Sequence, residues 1–458
     1  MSDGLKQAQQ KMAAAGVNQQ AIDVFSHYYG QLEEGVTGFI AEDSIEPLED
    51  PTLLADLSIP EEDARAALGA TVLIKLNGGL GTSMGMARAK SLLNVRDGRS
   101  FLDLIVGQVR AAREAYGVKL PLLFMNSFRT REDTLAALAG YADLAVDGLD
   151  LDFVQSQEPR LLASDLTPVE WPADPSLEWC PPGHGDLYPS LVATGILDRL
   201  LALGYRYASV SNSDNLGAAP DATIAGWFAA SGAPYAAEIC RRTAADRKGG
   251  HLAIRKSDGR LILRDTAQTS KEEMHYFTDE HRHPYFHTNN LWFDLQRLAD
   301  TLAERGGVLG LPLIRNEKTV DPADAATPAV VQIESAMGAA VEVFEGATAI
   351  GVGRERFLPV KTTNDLLLLR SDVYEVGADG RLQKVTDPAP LVDLDSRYYK
   401  TIGAFEQRFP VPPSLQQAVS LTVAGDWTFS REVTVVGAVR LEDQGAPQVV
   451  TSGSVLQG

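Results

Sequence analysis

Short apolar runs alternate with amphipathic stretches through the middle of the chain. Thr71–Leu76, Leu120–Met125 and Tyr207–Ser211 each have the pattern of a buried strand, and a helical pattern from about Leu187 to Leu203 precedes the third. Strands that alternate with helices indicate βαβ units and a mostly parallel sheet. Ligands of such sheets bind beyond the carboxyl ends of the strands, and a polar or glycine-rich segment follows each of these runs at once.

The two ends of the chain have other patterns. Ile22, Phe25 and Tyr29 are spaced as on one face of a helix, which predicts a packing helix over 18–31. The acidic stretch 42–60 contains three prolines and is typical of an irregular connector. We therefore predict an N-terminal helical segment, 1–65, that packs on an α/β domain, 66–375.

A repeated strand pattern occupies the remaining residues, 376–458. Leu421–Phe429 aligns with Val433–Leu441 at a shift of 12 residues, and a weaker third copy runs from Val449 to Val455. Short strands repeated with a glycine at one phase predict the rungs of a β-solenoid. An antiparallel hairpin is the alternative, and neither structure places catalysis in this region.

Composition narrows the functional class. The chain has 458 residues, 45% of them hydrophobic, and a net charge of -20 from 41 basic and 61 acidic residues. This apolar content excludes disorder as the main state, and the acidic balance argues against generic nucleic-acid binding. The apolar runs are too short to cross a membrane, no secretory signal is visible, and two cysteines are too few for a disulfide framework. We expect a cytoplasmic protein with no membrane partner.

The glycine-rich segment Leu76–Gly85 directly follows the first predicted strand. Backbone N–H groups in such a loop can cradle phosphates. The glycine spacing is one residue too long for a dinucleotide fingerprint, and Ala89 before Lys90 breaks the P-loop pattern. Between residues 71 and 101 there are five basic residues and one acid. This segment is therefore positively charged within an acidic chain, which favours an anionic ligand. A structural glycine turn and a solvated basic surface remain the alternatives.

Two further polar segments contain candidate residues for chemistry. In 179–186, Gly183 and Gly185 flank His184, and Asp186 is a candidate cap for the following helix. Such a His can contact an anion or a sugar hydroxyl at the helix N-terminus. In 211–217, Asp214 follows a strand among small polar residues, which suits a Mg²⁺ ligand. An Asx-turn is the alternative for Asp214.

The last two segments are weaker signals when taken alone. Asn289 and Asn290 are adjacent amides that suit sugar hydroxyls or a base edge. Lys361 lies in a predicted loop after Pro359, beside polar residues. A lysine in a loop usually faces solvent. Lys361 is therefore a candidate functional residue only in combination with the other segments.

These five segments occur together and in one order, and the combination resembles the eukaryotic-type UTP–glucose-1-phosphate uridylyltransferases, also called UDP-glucose pyrophosphorylases. The resemblance extends from about Ala66 to Tyr374 and continues more weakly at both ends. It implies a Rossmann-like GT-A nucleotidyltransferase domain with a mixed, mostly parallel sheet and a C-terminal left-handed β-helix. It also implies a reversible, Mg²⁺-dependent reaction that converts UTP and glucose 1-phosphate to UDP-glucose and pyrophosphate.

The same resemblance implies roles for individual residues. Lys90 and Lys361 are similar to the family's phosphate-contacting lysines, and Asp214 to its catalytic Mg²⁺ ligand. Gln155 is similar to the amide that reads the uracil edge. The residues that the resemblance places in substrate binding are Leu76, Gly78, Gly79, Gln155, Gly183, His184, Asn212, Gly250, Asn289, Asn290 and Glu334.

The chain also departs from the family pattern. Met86–Ala89 replaces the usual Cys-Lys-Gly-Pro, His287 replaces a common Asn, and Asp265 stands where Glu is usual. The last two changes leave the sugar open, so a pyrophosphorylase for another UDP-sugar or for UDP-N-acetylhexosamine is the first alternative. A non-catalytic UDP-sugar sensor is the second. We expect a monomer or homodimer.

Overall fold

The computed structural model describes residues 2–243, 246 and 249–458. Helices and strands alternate through the middle of the chain, as the sequence predicts. The α-helices of the described residues are α1 (Asp3–Ala14), α2 (Gln19–Glu33), α3 (Glu61–Gly69), α4 (Phe101–Tyr116), α5 (Arg131–Leu138), α6 (Leu187–Ala193), α7 (Ile196–Ala202), α8 (Ala222–Ser231), α9 (Met274–Phe277), α10 (Leu295–Glu304), α11 (Thr363–Arg370), α12 (Ser396–Tyr399) and α13 (Ile402–Arg408).

The strands form one large sheet and several small ones. In the described part of the chain they are β1 (Ile45–Pro47), β2 (Thr52–Leu53), β3 (Thr71–Asn77), β4 (Asn94–Arg96), β5 (Arg99–Ser100), β6 (Leu122–Asn126), β7 (Asp152–Val154), β8 (Glu158–Pro159), β9 (Leu161–Leu162), β10 (Trp179–Cys180), β11 (Tyr207–Asn212), β12 (Tyr235–Arg241), β13 (His251–Arg255), β14 (Leu261–Arg264), β15 (Tyr285–Asp294), β16 (Ile314–Thr319), β17 (Ala329–Glu334), β18 (Thr348–Val352), β19 (Tyr374–Val376), β20 (Leu382–Lys384), β21 (Leu391–Leu394), β22 (Ser414–Val423), β23 (Trp427–Phe429), β24 (Thr434–Leu441), β25 (Gln448–Val450) and β26 (Val455–Gln457).

The central sheet is mixed and mostly parallel, in the order β2-β18-β12-β15-β11-β3-β6-β7. Strand β3 pairs in parallel with β11 on one side and with β6 on the other, and β6 pairs in parallel with β7. Their carboxyl ends therefore meet at one edge. Strand β15 runs antiparallel between β11 and β12. The predicted mixed α/β class with a mostly parallel central sheet is confirmed.

Two helix predictions have different outcomes. The predicted helix over 18–31 is confirmed as α2, whose first turn is capped because the Asn18 side chain accepts a hydrogen bond from the Gln20 N–H. The single helix predicted from Leu187 to Leu203 is wrong. The chain forms α6 and α7, separated at Gly195, because the backbone there adopts a φ of +69° that ends one helix and starts the next.

The C-terminal strands pair in parallel, in the order β21-β22-β24-β26, and β23 pairs in parallel with β25. The antiparallel hairpin is therefore excluded. Leu421 lies opposite Val439 and Trp427 opposite Gln448, offsets of 18 and 21 residues, so the 12-residue alignment is wrong. An alternating pattern has a period of two and accepts shifts of 12 and 18 equally. The left-handed β-helix stays a prediction.

Within the described ranges, no helix combines the length and the apolar character that crossing a membrane requires. Both cysteines, Cys180 and Cys240, are free and buried.

Candidate active site

Two adjoining cavities lie at the carboxyl edge of the central sheet, and Asn212 and Asp214 line both of them. Cavity A, of about 300 Å³, is lined by Leu76, Gly78, Gly79, Lys90, Met125, Gln155, Pro181, Gly183, His184, Asn212, Ser213 and Asp214. Cavity B, of about 290 Å³, is lined by Asn212, Asp214, Asn215, Asp246, Gly249, Gly250, Leu263, Asp265, Phe286, His287, Thr288, Asn289, Phe357, Pro359 and Lys361.

The glycine-rich loop after β3 forms one wall of cavity A. The Ser127 hydroxyl donates to the Gly78 carbonyl oxygen at 3.0 Å, and the Lys90 N–H donates to the Gly79 carbonyl oxygen at 3.1 Å. A Cβ at Gly78 would lie only 2.9 Å from Gln155 Nε2, so the amide approaches the backbone as closely as glycine allows. The loop therefore brings the predicted base-reading amide and phosphate-contacting lysine into one cavity.

Lys90 and Asp214 form an ion pair on the wall of cavity A, with Lys90 Nζ donating to Asp214 Oδ2 at 2.5 Å. Both side chains are about one-fifth exposed, so each remains accessible to a ligand. Asp214 lies in the turn that follows β11, and its carboxylate accepts from the lysine. This contact accounts for the position of the carboxylate without an Asx-turn.

Lys361 reaches cavity B through a second segment that runs beside the Asp214 turn. The Val360 N–H donates to the Asp214 carbonyl oxygen at 3.4 Å, and Asn215 forms an isolated antiparallel bridge with Pro359. The Lys361 N–H donates to Asp365 Oδ2 at 2.8 Å, where the capping box of α11 begins. Two residues that are far apart in sequence, Asp214 and Lys361, thus line the same cavity.

The segment 181–186 also lines cavity A, through Pro181, Gly183 and His184. Gly183 has a φ of +79°, and a Cβ there would lie 2.6 Å from the Ser335 carbonyl oxygen, so the position requires glycine. His184 Nδ1 accepts a hydrogen bond from the Met337 N–H at 2.9 Å. Burial lowers the pKa of His184, although Asp265 opposes the shift, so the ring is neutral and carries its proton on Nε2.

Asp186 occupies the predicted N-cap position of α6, but its side chain accepts no hydrogen bond from the N–H groups of the first turn. Its carboxylate oxygen Oδ2 accepts from the Ser156 N–H at 2.5 Å and from the Ser190 hydroxyl at 2.7 Å. Burial raises the pKa of Asp186 to about 6. Ser156 follows Gln155, so this carboxylate links segment 181–186 to the segment that carries the predicted base-reading amide.

Cavity B contains the two departures from the family pattern, His287 and Asp265. The Asn289 N–H donates to His287 Nδ1 at 2.9 Å, and burial lowers the pKa of His287 to about 4. The neutral ring therefore carries its proton on Nε2. A Cβ at Gly250 would lie 2.9 Å from Asp265 Oδ2. The carboxylate and the imidazole thus both lie at the wall of cavity B.

Two residues predicted for substrate binding are absent from the lining of both cavities. The Asn290 side chain is buried and donates to Glu238 Oε2 at 3.1 Å. Glu334 accepts from Asn316 Nδ2 at 2.9 Å and lies behind Gly183. Their contact with a ligand stays a prediction, whereas the other predicted residues line one cavity or both.

Several lining residues were missed by sequence reasoning. Met125, Ser213 and Asn215 lie at or just after strand ends, a signal that could have identified them. Asp246 and Phe357 carry no such signal, because only the folded chain brings their segments to cavity B.

A magnesium ion at Asp214 is compatible with the residues present. Within the described ranges, no group of three or more His, Cys, Asp or Glu side chains is arranged to hold a metal. Mg²⁺ needs only one or two carboxylates when phosphate oxygens and water supply the other ligands. Asp214 is a carboxylate of this kind, because it faces the cavity beside the lysine predicted to contact phosphate.

The family model of UTP–glucose-1-phosphate uridylyltransferase matches residues 22–436. This chain belongs to that family. A uridylyltransferase of this name from Solanum tuberosum is 36% identical over 97% of this chain and 94% of its own length. The Saccharomyces cerevisiae enzyme is 38% identical over 85% of this chain and 77% of its own length.

Solved structures agree with the uridylyltransferase assignment. A point mutant of UDP-glucose pyrophosphorylase from Leishmania major, in complex with UDP-glucose, has a TM-score of 0.92 and 40% identity. The match covers 100% of this chain and 98% of that one. A UDP-glucose phosphorylase from Trypanosoma brucei has a TM-score of 0.91 at the same identity, again covering 100% of this chain and 98% of its own.

Proposed function

We propose that this chain catalyses the reversible reaction of UTP with glucose 1-phosphate to give UDP-glucose and pyrophosphate. Family membership and the two adjoining cavities support this activity. The single observation that carries it is that cavities A and B meet at Asn212 and Asp214, because two substrates that react must bind side by side.

The uridine triphosphate would occupy cavity A. Gln155 lies beside the Gly78 backbone and would read the uracil edge, and the glycine-rich loop would approach the ribose and phosphates. The neutral His184 would donate through Nε2 to a phosphate or sugar oxygen. The sugar of glucose 1-phosphate would occupy cavity B, with its phosphate toward Lys361 and Asp214.

The reaction needs no protein nucleophile. A phosphate oxygen of glucose 1-phosphate attacks the α-phosphorus of UTP in line, and the bond to the bridging oxygen breaks as pyrophosphate leaves. Lys90 and Lys361 would hold the two anions together and stabilise the charge of the transition state, so catalysis is positioning plus electrostatics. A Mg²⁺ ion held by Asp214 would supply further charge neutralisation of the phosphates when bound.

The direct test is pyrophosphate release with Mg²⁺, UTP and a panel of sugar 1-phosphates. A strong preference for glucose 1-phosphate supports the proposed substrate. Preference for another sugar would keep nucleotidyl transfer but assign the specificity to cavity B, where Asp265 and His287 lie. No release from a folded protein that binds UDP-glucose would favour the sensor.

We also propose the domain division 1–65, 66–375 and 376–458, with the last unit forming a left-handed β-helix. The parallel pairing of β22 with β24 and of β24 with β26 supports this proposal. A monomer or homodimer is our expectation for the assembly, and light scattering coupled to gel filtration would measure it.

A further inference from the structure

Lys75 is a buried lysine behind the reacting centre, and the proposed chemistry does not use it. Its residue is 2% exposed, on β3, one position before the glycine-rich loop begins. Burial lowers the pKa of Lys75 to about 7. Two charged groups act on this pKa: Arg356 repels the ammonium and Glu238 attracts it. Burying an amine is costly, so a lysine here needs an explanation other than filling space.

The hydrogen bonds of Lys75 supply that explanation. Nζ donates to the Ser211 hydroxyl at 2.7 Å and to the Ala218 carbonyl oxygen at 2.7 Å. Ser211 lies on β11 directly opposite Lys75, and Ala218 lies where the turn 212–217 ends. One amine therefore joins the two ends of the turn that presents Asp214.

A second buried side chain holds the same turn from another element. Gln108 on α4 is 2% exposed, and its Nε2 donates to the Leu216 carbonyl oxygen at 2.9 Å. Carbonyl groups of the turn that would otherwise lack partners in the interior thus accept from Lys75 and Gln108. The position of the turn depends on these donors as well as on the strand.

The position of this turn affects the proposed reaction, because the turn carries Asp214. Asp214 lines both cavities and accepts from Lys90, and its carbonyl oxygen accepts from the segment that ends in Lys361. A shift of the turn would therefore move the carboxylate relative to both lysines. Displacement by about 1 Å is enough to cost ~10²-fold in rate when reacting groups must be aligned.

We propose that Lys75 is a positioning residue that fixes the Asp214 turn for nucleotidyl transfer. This inference rests on the proposed function for its kinetic consequence but not for its structural one. It predicts that removal of the Nζ donor loosens residues 212–217 and lowers kcat without abolishing UTP binding.

The experiment uses Lys75→Met in the full-length protein, because methionine is unbranched, replaces the aliphatic part of the lysine side chain and lacks the amine. Thr71→Val is the matched control: Thr71 is a fully buried residue on the same strand, and its hydroxyl donates to Ala67, away from the turn. Hydrogen exchange of peptides covering 211–218, kcat, and KM for UTP are measured for both variants.

We expect exchange in 212–217 to accelerate about 10-fold or more and kcat to fall about 10-fold or more in Lys75→Met, with KM for UTP within about threefold of wild type. Thr71→Val should leave all three readouts unchanged. If Lys75→Met does not fold, Ser211→Ala and Gln108→Leu each remove one support of the turn and should give smaller effects of the same kind.

Native exchange and native kcat in the folded variants would overturn the inference. A lower thermal midpoint in Lys75→Met with native kcat would also overturn it, since that result describes a purely structural lysine. Failure of the proposed function is distinguishable, because wild type would then release no pyrophosphate while the exchange comparison still reports on the turn.

Discussion

Lys90 Nζ lies 2.5 Å from Asp214 Oδ2, so the two groups proposed to hold the phosphates and the metal are paired with each other in this structure. A triphosphate offers the lysine stronger acceptors, and a divalent cation competes for the carboxylate. Before the substrates bind, the ion pair between Lys90 and Asp214 holds both side chains at the wall of cavity A.

Asp214→Ala and Lys361→Ala should each lower kcat by about 10²-fold or more, the scale of losing one electrostatic stabiliser. Steady-state pyrophosphate release measures the effect. Lys384→Ala is a suitable control, because that lysine pairs with Asp387 in the C-terminal region. Near-normal turnover in a folded variant would remove the residue concerned from the proposed mechanism.

Gly183→Ala should destabilise the protein by about 3 kcal/mol or more and weaken UTP binding. A methyl group there would clash with the Ser335 backbone, in addition to the cost of a positive φ. Gly195→Ala is the matched control, since its φ is +69° and a Cβ would contact nothing within 4 Å. Its expected cost is about 1–2 kcal/mol. Equal losses in urea denaturation would contradict the steric explanation.

Acid should destabilise the protein through His287. Its pKa is lowered to about 4 in the folded state, so between pH 6.5 and 4 the unfolded chain binds more protons than the folded chain. Stability is therefore lost as pH falls through this window, by on the order of 3 kcal/mol from this residue. His287→Asn should have a flatter profile of unfolding free energy against pH. An unchanged slope would show that His287 does not titrate in this way.

Glu238 and Arg356 form a buried ion pair, and removal of one partner alone should destabilise the protein more than removal of both charges. Arg356 donates to both carboxylate oxygens, at 2.7 and 3.0 Å, and both side chains are almost fully buried. Arg356→Met should cost about 3–5 kcal/mol, because it leaves an uncompensated carboxylate. Adding Glu238→Gln should restore part of that loss. Denaturant titrations of the two single variants and the double variant measure the coupling, and strict additivity would argue against it.

Site residues that directly follow a strand could be predicted from the sequence. Contacts between segments that are distant in the sequence could not. The glycine-rich loop and Asp214 follow strands directly, so their place at the sheet edge could be predicted from the strand pattern. The bond from Val360 to Asp214 joins distant segments and leaves no periodic signal. The predicted register of the C-terminal strands was wrong for a related reason. Alternation of apolar and polar residues specifies which face of a strand is buried, but not which residues of the neighbouring strand lie opposite it.

Asn212 and Asp214 form the wall between cavities A and B, so a ligand that moves either residue reshapes the neighbouring cavity. The affinities of the two cavities are then linked, and the linkage is reciprocal. A molecule that joins both ligand groups covalently, as UDP-glucose does, gains from the high effective concentration of its second half. We expect such a molecule to bind more tightly than either half alone, so UDP-glucose should inhibit the forward reaction by occupying both cavities.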